Sequence, residues 1–369
     1  MRICGRASRA GLVLLLAAAV LLGAGCAGGR TAQKVPGPSQ PGNRTGRPAT
    51  SATLPSEHGK PLSRHTGPLK VLAFYDDQYE KPRGQVLTLV RQNRDLISYL
   101  APFWYKVQAD GSLIDNSEAD LKKFARENRI LLQPLFTNAG GNDAVLLDPA
   151  ARARAVENIV AAVQKNGYAG ASIDFQLLKP ESRDGLSAFV AALSQRLHAM
   201  GKVVTVDVIP ALTANGPRSA YDYAALGKSA DQVVLMTYDR HSDGSPPGSV
   251  APLAWVDAAV REAISVIPPD RVILGLAAYG YDWPQGSTQA RSIPLKNIPR
   301  GPHIQRTPAA VPYYTYVAAD GTRHEVWFED DKSIVKKIQI AKKYGLHGLA
   351  VWRVGYETAG FWNAIRRNR

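Results

Sequence analysis

The chain has 369 residues, 45% of them apolar, with a net charge of +14 and only two cysteines. That apolar share excludes a disordered chain, and two cysteines exclude a disulfide framework. The charge lies largely near the start, with three arginines in residues 1–25 and a surplus of five in 27–68, which leaves +6 on 69–369. With no basic-aromatic stripe, nucleic acid is excluded as a partner, whereas a basic leading segment suits anionic membrane or wall polymers.

Residues 1–25 read as an export signal. Arg2, Arg6 and Arg9 precede the apolar run "GLVLLLAAAVLLGAG", which ends at Cys26. The run is shorter than the roughly 20 residues of a membrane span and leads into Gly-rich polar sequence. "LLGAGC" resembles the lipobox of bacterial lipoproteins, with Gly23 where that motif usually has Leu and Leu22 one place further back. The resemblance implies lipidation at Cys26 and a membrane anchor, simple secretion being the alternative. Cys4 would leave with the signal, so the mature chain is expected to have no internal disulfide. Residues 26–68 read as a tether. From 27 to 68, fourteen of 42 residues are Gly or Pro, and there is no apolar periodicity.

From Leu69 the pattern alternates. Apolar β-type runs occupy 69–75, 96–107, 130–137, 170–178, 202–209, 231–239, 271–283 and 346–354. Amphipathic helical stretches lie between most of them, including 149–167, 182–201, 252–267 and 331–345. Those ending at Gly201 and Gly345 carry His198 or Lys342 and Lys343 in the last turn before a glycine stop. Eight strands alternating with helices predict a (β/α)8 TIM barrel over 69–369. An open doubly wound sheet would carry a Gly-rich phosphate turn after its first strand, where this chain has "FYDDQYE". Residues 287–327 read as a small β-rich insertion between strands seven and eight, with a hairpin turning at Asp320-Gly321.

Chemistry in such barrels sits at the C-terminal strand ends. Those ends carry Tyr75-Asp76-Asp77, Trp104-Tyr105, Asn138, Asp174 to Gln176, Asp207, Tyr238-Asp239, Tyr281 to Trp283 and Trp352-Arg353. Any one of these aromatics is accounted for as a core cap with a wet polar tip. Together they suit an uncharged polyol polymer, with aromatic faces for sugar rings and acids and amides for hydroxyls. On the fourth run, "GYAGASIDFQLL", period-two alternation puts Ser172, Asp174 and Gln176 on one face. The seven histidines are scattered without ligand spacing, so no metal is expected, and no cofactor is implied. No G-x-S-x-G elbow is present.

From Leu69 to Glu357 the chain resembles glycoside hydrolase family 18, the chitinase-like barrels, most closely the bacterial branch of spore-cortex and cell-wall N-acetylglucosaminidases. The likeness rests on "SYLAPFWYKVQADGSL", "GYAGASIDFQ", "DQVVLMTYDRH", "ILGLAAYGYDW" and "GLAVWRVGYE". The family pattern D-G-x-D/N-x-D-x-E falls on residues 169–176. Its first Asp is Ala169 here, its orienting Asp is Asp174, and its general acid, a Glu, is Gln176. The resemblance implies that Asp174 orients the substrate acetamido group, that Tyr238 meets the acetamido carbonyl, and that Trp352 lies under the sugar ring. Tyr75, Trp104, Asp239 and Tyr281 would line the same cleft.

An amide donates a hydrogen bond to a glycosidic oxygen but has no proton to transfer, and a positioned general acid is worth ~10²–10⁴-fold. The expectation is therefore an exported pseudoenzyme that binds N-acetylglucosamine-containing glycan, either peptidoglycan or chitin-like, with little or no hydrolysis. Two alternatives stay open. One is an active wall glycosidase using a displaced acid, with Asp174, Glu181 and Asp184 nearest. The other is a protein-binding scaffold in wall assembly.

Overall fold

The computed structural model describes residues 64–76, 83–138, 140–211, 220–299 and 303–369. The expected signal, Cys26 and the tether up to residue 63 lie outside the described residues. Eight strands run parallel and close on themselves: β1 (Lys70–Tyr75), β2 (Tyr99–Val107), β4 (Leu135–Thr137), β5 (Gly170–Asp174), β6 (Val203–Val208), β7 (Gln232–Leu235), β8 (Val272–Ala277) and β14 (Gly348–Trp352). The pairing of β1 with both β2 and β14 shuts the ring, and a short β3 (Leu113–Asp115) hangs antiparallel from β2. Helices on the outside connect successive strands, so this is the expected (β/α)8 barrel.

Alternation sorts each strand's side chains between two cores. Leu72, Phe74, Ala101, Leu135, Val234, Ile273 and Ala350 fill the barrel, with Tyr99, Phe103 and Trp352 at its ends. Their sequence neighbours, such as Val71, Ala73, Ala171, Ile173, Val204 and Val206, pack outward against the helices. At the barrel base a polar chain crosses from strand to strand. Gln133 Nε2 donates to Thr205 Oγ1 (2.7 Å), Thr205 Oγ1 donates to Gln232 Oε1 (3.0 Å), and Gln232 Nε2 meets His347 Nε2 (3.2 Å). The helices Arg183–His198 and Asp331–Tyr344 end where the glycines predicted, with Gly201 and Gly345 at φ 65° and 66°.

The insertion is an antiparallel sheet of β9 (Tyr279–Pro284), β10 (Arg291–Pro294), β11 (Gln305–Arg306), β12 (Pro312–Val317) and β13 (Arg323–Phe328), ordered β10-β9-β13-β12-β11. β12 and β13 form the hairpin read from Asp320-Gly321, with Gly321 at φ 85°. Its start is a correction. The apolar run 271–283 is two strands, and the chain leaves the barrel at Ala278, where its N–H donates to Trp352 O (2.8 Å). The insertion thus begins at Tyr279 rather than Ser287. No turn residue marks the break, because Leu276, Ala277, Ala278 and Tyr279 form an unbroken buried apolar run across it.

Just after β13, Glu329 is tied to the following helix. It accepts from Lys337 Nζ (2.7 Å) and Ser333 Oγ (2.5 Å), and both charged side chains are almost wholly buried. Removing one partner strands the other charge in a dry site. Lys337→Ala is expected to cost about 3–5 kcal/mol. The double change Lys337→Met with Glu329→Leu should unfold within about 1.5 kcal/mol of the native protein, as a roughly volume-conserving apolar swap does. Thermal and denaturant unfolding of the two variants checks this.

Candidate functional site

The C-terminal ends of the barrel strands form a polar mouth around the residues following β5. The strand stops at Asp174, and the chain continues through Phe175, packed outward on Phe189 (ring centroids 5.3 Å), to Gln176. Gln176 is fixed by a two-point clamp. Its N–H donates to Asn138 Oδ1 (2.8 Å), and its carbonyl accepts from Asn138 Nδ2 (2.7 Å). The Asn138 side chain thereby continues the β4–β5 ladder beyond the last backbone pair. Leu177 then turns the chain away with φ 60°, a left-handed conformation that costs a leucine about 1–2 kcal/mol. The turn leaves the Gln176 amide on the same side as Asp174.

There the Gln176 Nε2 donates to Asp174 Oδ1 (2.7 Å) and lies 3.7 Å from Met236 Sδ. On the neighbouring strand, Asp207 points into the same space. Ser172 Oγ sits 3.4 Å from each of its carboxylate oxygens. Asp174 and Asp207 are 5% and 1% exposed. Burial pushes the Asp174 carboxyl up to about 6, partly opposed by the hydrogen bond from Gln176. Asp207 is raised well above the ordinary range, first by burial and then by the negative charge of Asp174, with Ser172 opposing. With both carboxyls raised in this dry site, the pair favours keeping a proton over ionising fully.

The other walls come from the sixth, seventh and eighth barrel strands and the insertion. Tyr238, half-buried, has a hydroxyl without a hydrogen bond among the described residues. Burial and then the charges of Asp207, Asp174 and Asp239 hold it neutral. Asp239, at φ 58°, accepts on Oδ1 from both Tyr279 (2.6 Å) and Tyr281 (2.9 Å). Trp352 closes the ring of strands, partly exposed, its indole 5.3 Å from Phe74. The site therefore brings together a hydrogen-bonding amide, a carboxylate pair holding a proton, a free phenol and an indole face. It has no carboxyl group at position 176. Glu181 and Asp184, the nearby acids considered as substitutes, are both exposed, the first on the turn after the strand and the second in the first turn of the helix Arg183–His198. Among the described residues no cluster of three or more His, Cys, Asp or Glu could hold a metal.

Of the residues predicted for the cleft, Asp174, Gln176, Tyr238, Asp239 and Trp352 meet at the mouth. Tyr281 is a buried strut of the insertion sheet that reaches the mouth only through its hydroxyl. Tyr75 and Trp104 are corrections, both buried in the outer core between strands and helices. On β1 the inward position belongs to Phe74, one residue earlier. On β2 a register shift between Phe103 and Tyr105 leaves Phe103 facing inward and sends Trp104 outward with Tyr105. Asp207 was legible only as one of several strand-end acids, and its sharper signal is an acid at an inward position of "VVTVDV".

Comparison with known proteins gives a consistent picture. The family model described as "Glycosyl hydrolases family 18" matches residues 78–357. The Bacillus subtilis protein described as "Uncharacterized glycosylase YvbX" is 30% identical, over 71% of this chain and 82% of that protein. The crystal structure of the Bacillus megaterium spore cortex-lytic enzyme SleL superposes with a TM-score of 0.73 at 28% identity, covering 83% of this chain and 75% of that one. That of a chitinase from Chromobacterium violaceum gives 0.74 at 28% identity, covering 81% and 98%.

Raised carboxyl groups have a stability signature. Above the ordinary aspartate value of 3.8, the folded protein holds protons that the unfolded chain has lost. The contribution of Asp174 and Asp207 is therefore full below that value and is lost as pH rises through about 6 and beyond. Asp207→Asn removes one of the two raised carboxyls. The decline in melting temperature from acid to neutral pH should be shallower in this variant than in the native protein, and superimposable declines would contradict a raised Asp207 carboxyl.

Proposed function

This chain belongs to glycosyl hydrolase family 18, and from that premise we propose that it is an exported glycan-binding protein for N-acetylglucosamine-containing polysaccharide with little or no hydrolysis. The observation that carries the reading is Gln176. Asn138 holds the Gln176 backbone at the position of the family's acid, and the Gln176 side-chain amide donates to Asp174, the orienting carboxylate of the same motif.

In this reading the sugar ring stacks on Trp352, and the free hydroxyl of Tyr238 donates to the acetamido carbonyl. Asp174 accepts the acetamido N–H, and Gln176 spends its second N–H on the glycosidic oxygen. All four contacts bind and orient. None transfers a proton, so departure of the leaving sugar as an alkoxide stays unassisted. The ligand class is supported by the aromatic mouth with its phenol, amide and carboxylate groups for pairing with hydroxyl and acetamido groups. It is also supported by membership of a family whose matched structures carry the names spore cortex-lytic enzyme and chitinase.

A second reading, residual hydrolysis, is favoured by one observation, the proton held by Asp174 and Asp207 beside Gln176. Asp174 lies two residues before position 176, about 7 Å along the strand, and its nearer oxygen is already occupied by the amide. Binding without turnover therefore remains the conclusion.

Gln176→Glu is the decisive change. The new carboxyl would be raised by partial burial and by the negative charge of Asp174 beside it, which favours its acid form. Cleavage of N-acetylglucosamine oligomers is expected to rise by ~10²–10⁴-fold, read by product chromatography. An inactive but folded, oligomer-binding variant would show that more than the acid is missing.

For the leading segment we propose signal removal before Cys26, lipidation of that cysteine and an extracytoplasmic tether over 26–68. Metabolic labelling with a fatty-acid probe should mark the native chain and lose its signal in Cys26→Ala. Equal labelling of both would contradict the anchor.

A further inference from the structure

Away from the mouth, the insertion sheet carries a second polar hollow. Along β9, Tyr279, Tyr281 and Trp283 face the mouth and pack with Tyr238 and Val250. Alternation sends Asp282 to the opposite face. The registers Asp282↔Val326, Tyr314↔Val326, Tyr316↔His324 and Asp282↔Arg291 put Tyr314, Tyr316, His324 and Arg291 on that face with it. Asp282, Arg291, Tyr314 and Tyr316, with Ile293 on β10 and Asn297 on the chain following it, line an open concavity of about 360 Å³. That is within the range of small-ligand sites and roughly the size of one or two sugar rings.

The floor is Asp282, 3% exposed. Its Oδ2 accepts from Tyr316 Oη (2.8 Å) and its Oδ1 meets His324 Nδ1 (2.7 Å), which orients the carboxylate without using all of its lone-pair positions. Arg291 Nη2 lies 3.7 Å from Oδ2, and its side chain is 77% exposed at the rim. The Tyr314 hydroxyl and the Asn297 amide make no hydrogen bond among the described residues. The Tyr314 ring stands beside Tyr316 and Phe328 (6.0 and 6.1 Å) and forms an aromatic wall.

The chemistry selects among ligands. A phosphate or carboxylate would meet the Asp282 carboxylate, and a cation would meet Arg291 and the donors already turned toward Asp282. A hydroxyl can donate to Asp282 while accepting from Arg291, and Tyr314 and Asn297 offer further pairing beside an aromatic face. We propose that this hollow is a second saccharide site, distinct from the mouth, holding one or two neutral hexosamine units of the glycan. The ligand class rests on the reading above, whereas the site does not. Two sites on one chain would let the protein hold a polymer at two points and gain avidity without any new contact in the mouth.

The test is calorimetric titration of the full-length protein with N-acetylglucosamine tetramer. Five proteins are compared: native, Trp352→Ala, Arg291→Ala with Tyr314→Ala, all three changes together, and Arg291→Ala alone. Circular dichroism melts accompany each titration, and Arg291→Ala alone serves as the variant changed only at an exposed side chain. The native protein should bind at two sites. Trp352→Ala should keep one, and the rim changes should weaken that remaining site about tenfold or more, the loss expected of a central anchor. Arg291→Ala alone should weaken it measurably with no change in melting. Residual binding in Trp352→Ala that the rim changes leave unaltered would overturn the second site. Binding that depends on Arg291 and Tyr314 but not on Trp352 would instead overturn the reading of the mouth. A single event abolished by Trp352→Ala would sustain the mouth alone.

Discussion

A closed barrel has no sheet edge, and whatever points inward from its strands must be satisfied by other inward side chains. In this protein the inward positions at the C-terminal end include two carboxylates, Asp174 on β5 and Asp207 on β6, with Ser172 beside Asp207 and no cation hydrogen-bonded to either among the described residues. Keeping a proton lowers the cost of burying the pair. Much of the mouth follows from that constraint. Gln176 donates to Asp174 rather than competing for the proton, Tyr238 is held neutral by the same charges, and Asn138 fixes the backbone that presents the amide.

The insertion sheet gains its importance from the same arrangement. By leaving the barrel at Ala278 without an intervening loop, β9 brings Tyr279 and Tyr281 directly onto Asp239, so a wall of the mouth is built by a second sheet. The opposite face of that strand is then free to carry Asp282 and its polar hollow. One strand of six residues thus serves two concavities through period-two alternation.

How much of this could be read from the chain differs between residues. The β5 face was legible because Ser172, Asp174 and Gln176 are the only polar side chains in an apolar run, and alternation alone assigns their direction. Trp352, Tyr238 and Asp239 were legible as strand-end residues, and the roles of Trp352 and Tyr238 only through resemblance. Tyr75 and Trp104 misled because counting back from a strand end fixes a side chain's face only to within one residue. On β2 a register shift adds an error that local sequence does not signal. Asp207 was under-read for a different reason: its role depends on the neighbouring strand, and cross-strand register is a tertiary property. The seventh run concealed a change of sheet because a strand buried in one sheet and a strand buried in the next have the same composition.

The measurement that bears most directly on the account is a crystal structure of the native protein grown or soaked with N-acetylglucosamine tetramer and held at saturation for days. An intact oligomer is expected across position 176, with one ring on Trp352 and the glycosidic oxygen within hydrogen-bond distance of the Gln176 amide. Shortened product in the mouth, with the scissile position emptied, would contradict it and make the proton held by Asp174 and Asp207 the acid to pursue.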